Sequence, residues 1–139
     1  MTFTGIPNQS RSVTSASYKI VVGNALNGDT PRDCNILDPG DGIGVKSAVQ
    51  QAYDSGLRTV VEVREGTYTF TSASAFTTQG CNVRGVDKSR VTFVAPATSG
   101  KSQNVCTISD GDTVSGITFS VTTPTGTVDA GTTGYSVVN

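Results

Sequence analysis

The sequence predicts a mainly β chain opened by a single amphipathic helix. Three observations carry this. From about Arg58 onward, short runs rich in Val, Thr and Phe alternate with turn residues. Gly66, Gly80, Gly85, Gly100, Gly111, Gly116 and Gly126 punctuate those runs, and only one segment, beginning at Val45, has a helical period. Comparable apolar runs recur about every 20 to 25 residues, a spacing suited to stacked turns of chain. Turns as short as Ser109-Asp110-Gly111-Asp112 also suit the hairpins of a sandwich.

Residues 1–30 read as an arm. They are polar except for one island, Tyr18-Lys19-Ile20-Val21-Val22, whose bulky composition suits a short strand but is too small to form its own core. Residues 31–44 read as a linker, dense in Gly, Pro, Asp and Asn, as successive turns require. The body then runs over 45–139. Its helix places Val45, Ala48, Val49, Ala52 and Tyr53 at i, i+3, i+4, i+7 and i+8, with Lys46, Ser47, Gln50, Gln51 and Asp54 opposite, and Gly56 stops it. Strands are expected at Arg58–Arg64, Thr67–Phe70, Asn82–Gly85, Arg90–Val94, Asn104–Ile108 and Thr113–Val121, with a last one at Tyr135–Val138.

Composition removes several function classes. The chain has 139 residues, 35% hydrophobic and 15% charged, with about a quarter Ser and Thr. Ten Lys and Arg against eleven Asp and Glu are scattered, so no basic stripe exists for nucleic acid or an anionic bilayer, and neither partner is expected. The absence of His excludes Ser-His-Asp and Cys-His nucleophiles and mixed Cys/His zinc sites, and no cofactor is expected. The first 17 residues lack the apolar core of a signal peptide, and no run is long enough to span a bilayer. Cys34, Cys81 and Cys106 are an odd set without a Cys-x-x-Cys pair and read as reduced, mostly buried thiols.

The acidic residues read as structural. Asp29, Asp33, Asp38 and Asp41 crowd one loop, but their spacing misses an EF-hand, and turns plus a helix N-terminus account for them. After Glu65 only Asp87, Asp110, Asp112 and Asp129 remain, and Asp110 with Asp112 suits a turn better than a paired acid and base. Glu62, Arg64 and Glu65 suit a solvated rim, and no catalytic residue is expected. Nine aromatic residues without Trp leave little for stacking on sugars, and Tyr53 and Tyr68 are expected in the core.

The segment GDGIGVKSAVQQAYDSGLRTVVEVREGTYTF resembles the opening of the pectate-lyase-like right-handed parallel β-helix proteins, where a helix caps the first rung before a strand and a Gly-Thr-Tyr turn, here Gly66-Thr67-Tyr68. Asn82-Val83-Arg84-Gly85 before Val91-Thr92-Phe93, and Val114-Ser115-Gly116-Ile117-Thr118-Phe119 after Asp110-Gly111-Asp112-Thr113, are similar to later rungs, so the likeness covers about Gly40 to Val121. The resemblance implies a short right-handed parallel β-helix capped by the helix, with an extended N-terminal arm. In such a stack Cys81 and Cys106, one rung apart, would lie one above the other, foremost as a ladder of small buried side chains, with a disulfide as the alternative.

The family includes polysaccharide lyases and hydrolases as well as phage tailspikes and other virion proteins. Residues 57–139 allow only about three or four rungs, too few for a long polymer groove, and no acidic cluster spans them. The expectation is therefore a non-catalytic bacteriophage structural protein located in the virion, foremost a capsid decoration or cement protein. A tail or tailspike component, a glycan-binding module and a lyase or hydrolase fragment stand behind it. A stack capped at one end leaves a sticky edge at the other, which a homo-oligomer would cover, with a trimer implied by the resemblance. Tyr18, Ile20, Val21 and Val22 of the arm, with Tyr135, Val137 and Val138, are the expected contacts to the major capsid protein or other virion proteins.

Overall fold

Alternation of buried and outward residues is the rule that organises the strands. In the computed structural model, which describes residues 18–57, 59–95 and 104–121, Thr59, Val61 and Val63 turn inward while Val60 and Glu62 turn out, and Val91, Phe93 and Ala95 repeat the pattern. The strands are β1 (Tyr18–Asn24), β2 (Ile36–Asp38), β3 (Thr59–Val63), β4 (Gly66–Thr69), β5 (Phe76–Thr77), β6 (Asn82–Gly85), β7 (Val91–Ala95), β8 (Cys106–Thr107), β9 (Val114–Ser115) and β10 (Thr118–Val121), with one α-helix, α1 (Ile43–Ser55), and a single 3-10 turn at Ala25–Asn27 among the described residues. The fold is mainly β, and every strand pairing described is parallel.

Three sheets result. The largest has the order β2-β1-β3-β6-β9, the second β4-β7-β10, and the third joins β5 to β8. From β3 onward each strand therefore pairs with the strand three places later. Register aligns like with like: Ile20, Val61, Val83 and Val114 form one column of the first sheet, and Tyr68, Phe93 and Phe119 one column of the second. Neighbouring rings in that aromatic column meet edge to face at 5.6 and 5.8 Å. Phe70 joins them, 4.7 Å from Phe93, so the three sheets share one core. Gly85 and Gly116 lie in closest contact where β6 passes the break between β9 and β10, and a Cβ on either would strike the other's carbonyl.

α1 lays Val45, Ala48, Val49 and Ala52, all buried, against β1, β2 and β3. Gly56, in the left-handed region at φ 68°, ends it. Tyr53 corrects the expected cap: it is 57% exposed and sits at the rim of the helix stripe rather than in the core.

Two further expectations fail. Tyr18–Val22 is no free arm, because β1 is inserted between β2 and β3 and buries Ile20 and Val22 in the common core. Residues 31–44 are more than a linker, since they contribute β2 and the first two residues of α1. The physical reason is the same in both cases. The inward faces of β3 and α1 need apolar cover, and the island before the linker supplies it. β5 lies outside the expected strands, because its two residues follow a Ser-, Ala- and Thr-rich stretch without an apolar run. Tyr135–Val138, with the proposed contacts Tyr135, Val137 and Val138, lies outside the described residues.

Candidate functional site

The described residues enclose a groove of about 530 Å³ where the last turn of α1 meets the beginnings of the parallel strands. One wall is Ala52, Tyr53, Gly56 and Leu57; the opposite wall is the two stacked turns around Gln79-Gly80 and Asp110-Gly111-Asp112, with Thr59 and Asn82 at the strand starts. Tyr53 and Leu57, both more than half exposed, stand on its rim.

Hydrogen bonds lock the two turns together. The Ser109 N–H donates to Thr78 Oγ1 at 2.9 Å, and the Thr78 hydroxyl donates to the Asp112 carboxylate at 2.6 Å. Asp112 also accepts the Gly80 N–H at 2.7 Å, while Asn82 Oδ1 accepts the Thr113 N–H at 2.9 Å. Thr78 is buried, so the two bonds at its hydroxyl are sheltered and reinforce each other, whereas those of Gly80 and Thr113 are open to water. Gln79 is held at φ 53°, the one positive φ outside glycine among the described residues. The sequence offered a signal for this latch: a turn glycine preceded by a polar residue recurs in TQGCN and SDGDT, and the turns meet through residues 31 apart.

The other carboxylates are held by backbone donors or cations. Asp38 is fully buried and accepts N–H bonds from Gly40, Asp41, Gly42 and Val45. Asp29 accepts from Asn24 and pairs with Arg64 at 3.1 Å. Backbone and hydroxyl donors of Thr30 hold Asp33 below the usual carboxylate range, and those of Ser89 do the same for Asp87. Burial pushes Glu62 up, but Lys19 at 3.2 Å and Arg84 at 3.0 Å more than offset it, so its carboxyl ends below the usual value. Among the described residues no three His, Cys, Asp or Glu come together as a metal site, and no helix is long and apolar enough to cross a membrane.

No family model, curated protein or solved structure matches the chain. The site must therefore be read from its own chemistry.

Of the expected contact residues, Tyr18 is exposed and Val21 half-buried, whereas Ile20 and Val22 are inside. Cys81 and Cys106 do not form the expected ladder: Cys106 is in register with Phe76, and Cys81 precedes β6. Burial pushes the Cys81 thiol up to about 11, with Asp112 adding to the shift, and the Cys106 thiol up to about 12. Cys34 is only half-buried. A thiol reagent at pH 8 will accordingly modify one cysteine per folded chain and three in denaturant. Raising the pH to 9 will not recruit the buried pair, because both remain protonated there. Rapid labelling of two or three thiols in the folded chain would contradict this burial.

Proposed function

We propose that this chain is a non-catalytic structural component of a bacteriophage virion, built on a short right-handed parallel β-helix and assembled as a homo-oligomer. The observation that carries the reading is the pairing rule: β3, β4 and β5 are each followed three strands later by a parallel partner, and α1 packs on the first strands of the series, β1, β2 and β3. That arrangement suits stacked rungs, and the resemblance of residues 40–121 to pectate-lyase-like proteins points to the same architecture. The engagement of Asp29, Asp38 and Asp112 in structural bonds supports a role through surface and assembly, not acid–base chemistry.

Within the virion, shell decoration requires a free strand at Tyr18–Val22 for attachment, and β1 uses that strand internally. A tail or tailspike component is the better reading. Quantitative mass spectrometry of purified particles tests it. On the order of a dozen copies per particle is expected for a tail component built from symmetric oligomers. Copies in the hundreds would restore the decoration reading, and absence from particles would reject the virion assignment. The enzyme reading is tested apart, by release of reducing or unsaturated ends from polyuronate and host exopolysaccharide. Turnover that Asp110→Asn or Asp112→Asn abolishes would establish it.

A further inference from the structure

We propose that the groove between the end of α1 and the stacked turns binds a linear aliphatic polyamine, a slender chain of methylenes that ends in ammonium groups. The inference goes beyond the virion reading and does not depend on it, since it rests only on the side chains that line the groove.

Charge sets the class. Asp110 and Asp112 line the groove, and no Lys or Arg is found among its described lining residues, so the interior attracts cations. The opposite wall decides which cation. Calcium takes about six to eight oxygen ligands, whereas the side chains of Ala52, Tyr53 and Leu57 present hydrocarbon and a ring. A polyamine uses both walls. Its methylenes lie on apolar surface while its ammonium groups reach polar partners, the same division by which a Lys stem covers apolar surface. Tyr53, exposed on the rim, adds an aromatic ring whose π system attracts an ammonium.

The acceptors stand across from that wall. Among the described residues the two bonds to Asp112, from the Thr78 hydroxyl and the Gly80 N–H, end on the same oxygen, Oδ2, so the carboxylate is held in place and keeps Oδ1 as an acceptor. Gln79 contributes an amide oxygen and Asp110 an exposed carboxylate. An ammonium only donates, which matches this side of the groove. The volume of about 530 Å³ is that of a small-ligand site, so the occupant is a free amine and not a protein segment. The groove crosses the starts of strands stacked about 4.8 Å apart, which gives a length of about 10 Å across β3, β6 and the turn before β9. That is room for one extended diamine or the end of a longer polyamine, with one ammonium for each carboxylate.

The test follows amide chemical shifts of the full chain during titration with diaminobutane, butanediol, calcium chloride and a blocked lysine peptide, which separate chain from charge and a free amine from a protein-borne one. Diaminobutane should shift Gln79, Gly80, Asn82 and Gly111 at about millimolar concentration, and sodium chloride at about 1 M, where the screening length is about 3 Å, should remove the shifts. The diol and calcium should leave these resonances in place, and the peptide should bind about fivefold more weakly or worse. Asp110→Asn should weaken diaminobutane about fivefold and Tyr53→Ala about threefold, both at the parental melting temperature, while Tyr53→Phe keeps the ring and the affinity. Arg58 follows Leu57 in the chain, and Arg58→Gln should change the affinity less than about threefold; a larger gain would mean that the chain neutralises the groove itself and would overturn the proposal. Silence of the groove resonances with diaminobutane also overturns it, as do equal shifts across Asp29 to Asp41, a response to calcium, tighter binding of the peptide, or unchanged affinity in Asp110→Asn or Tyr53→Ala.

Discussion

A chain that begins at Gly28 will not fold cooperatively. β1 runs alongside β3 for five residues, from Tyr18 opposite Thr59 to Val22 opposite Val63. Its loss uncovers the buried Val61 and Val63, removes Ile20 and Val22 from the core, and strips β2 of its partner. Each buried Val or Ile is worth about 1.5–3 kcal/mol, so the four affected side chains together reach about 6 kcal/mol or more. Asn24 goes too. It is fully buried, and its side chain donates to the Thr67 carbonyl and accepts the Leu26 N–H, both at 2.9 Å. A domain of this size has only about 5–15 kcal/mol in total. Far-ultraviolet dichroism during thermal melting gives the answer. A cooperative melt of the Gly28 chain at the parental temperature would mean that β1 is an accessory strand after all.

The contrast between β1 and α1 explains how far the sequence could be read. α1 announces itself because four inward residues recur at helical spacing over about two turns, and the period needs no knowledge of what they touch. Even there the edge of the stripe misleads: at 100° per residue Tyr53 lies about 80° from Val45, on the boundary between core and solvent. β1 contains the same kinds of residues as any edge strand, and nothing local distinguishes a strand that serves another molecule from one inserted between β2 and β3. Pairing partners in a parallel stack are set by the length of the intervening turns. Those lengths vary, from 22 residues between Glu62 and Arg84 to 31 between Thr78 and Ser109. A fixed period of 25 would bring Cys81 over Cys106, whereas the register sets Phe76 beside Cys106. The groove was hidden for the same reason, since Tyr53, Gln79 and Asp110 meet only once the turns are stacked.

Replacing Asp38 by Ala will cost more than any other single carboxylate substitution, about 3 kcal/mol or more. Its Oδ1 accepts the N–H groups of Gly40, Asp41 and Gly42 at 2.7, 3.0 and 3.1 Å, and its Oδ2 accepts that of Val45 at 3.1 Å. Gly42, the residue before α1, makes no side-chain cap, so this carboxylate takes the place of one and sets a negative charge at the positive end of the helix. It is fully buried, and water has no ready access to the donors it would abandon. A buried donor left without a partner costs about 1–3 kcal/mol, and four are at stake, partly relieved by rearrangement of the loop. Gly44 packs so close to Asp38 that even a methyl group there would press on its side chain, which limits that relief. Asp38→Asn keeps the size and one acceptor and should lose about half as much. Urea unfolding measures both, and hydrogen exchange should show protection lost first at Gly40 to Val45. The loop's other explanation, a calcium site, makes the opposite forecast. If hydrogen bonding is the whole task of Asp38, neither calcium nor a chelator will move the melting temperature. A rise with calcium, or an Asp38→Ala loss under about 1 kcal/mol, would return the four aspartates of this loop to the search for a ligand.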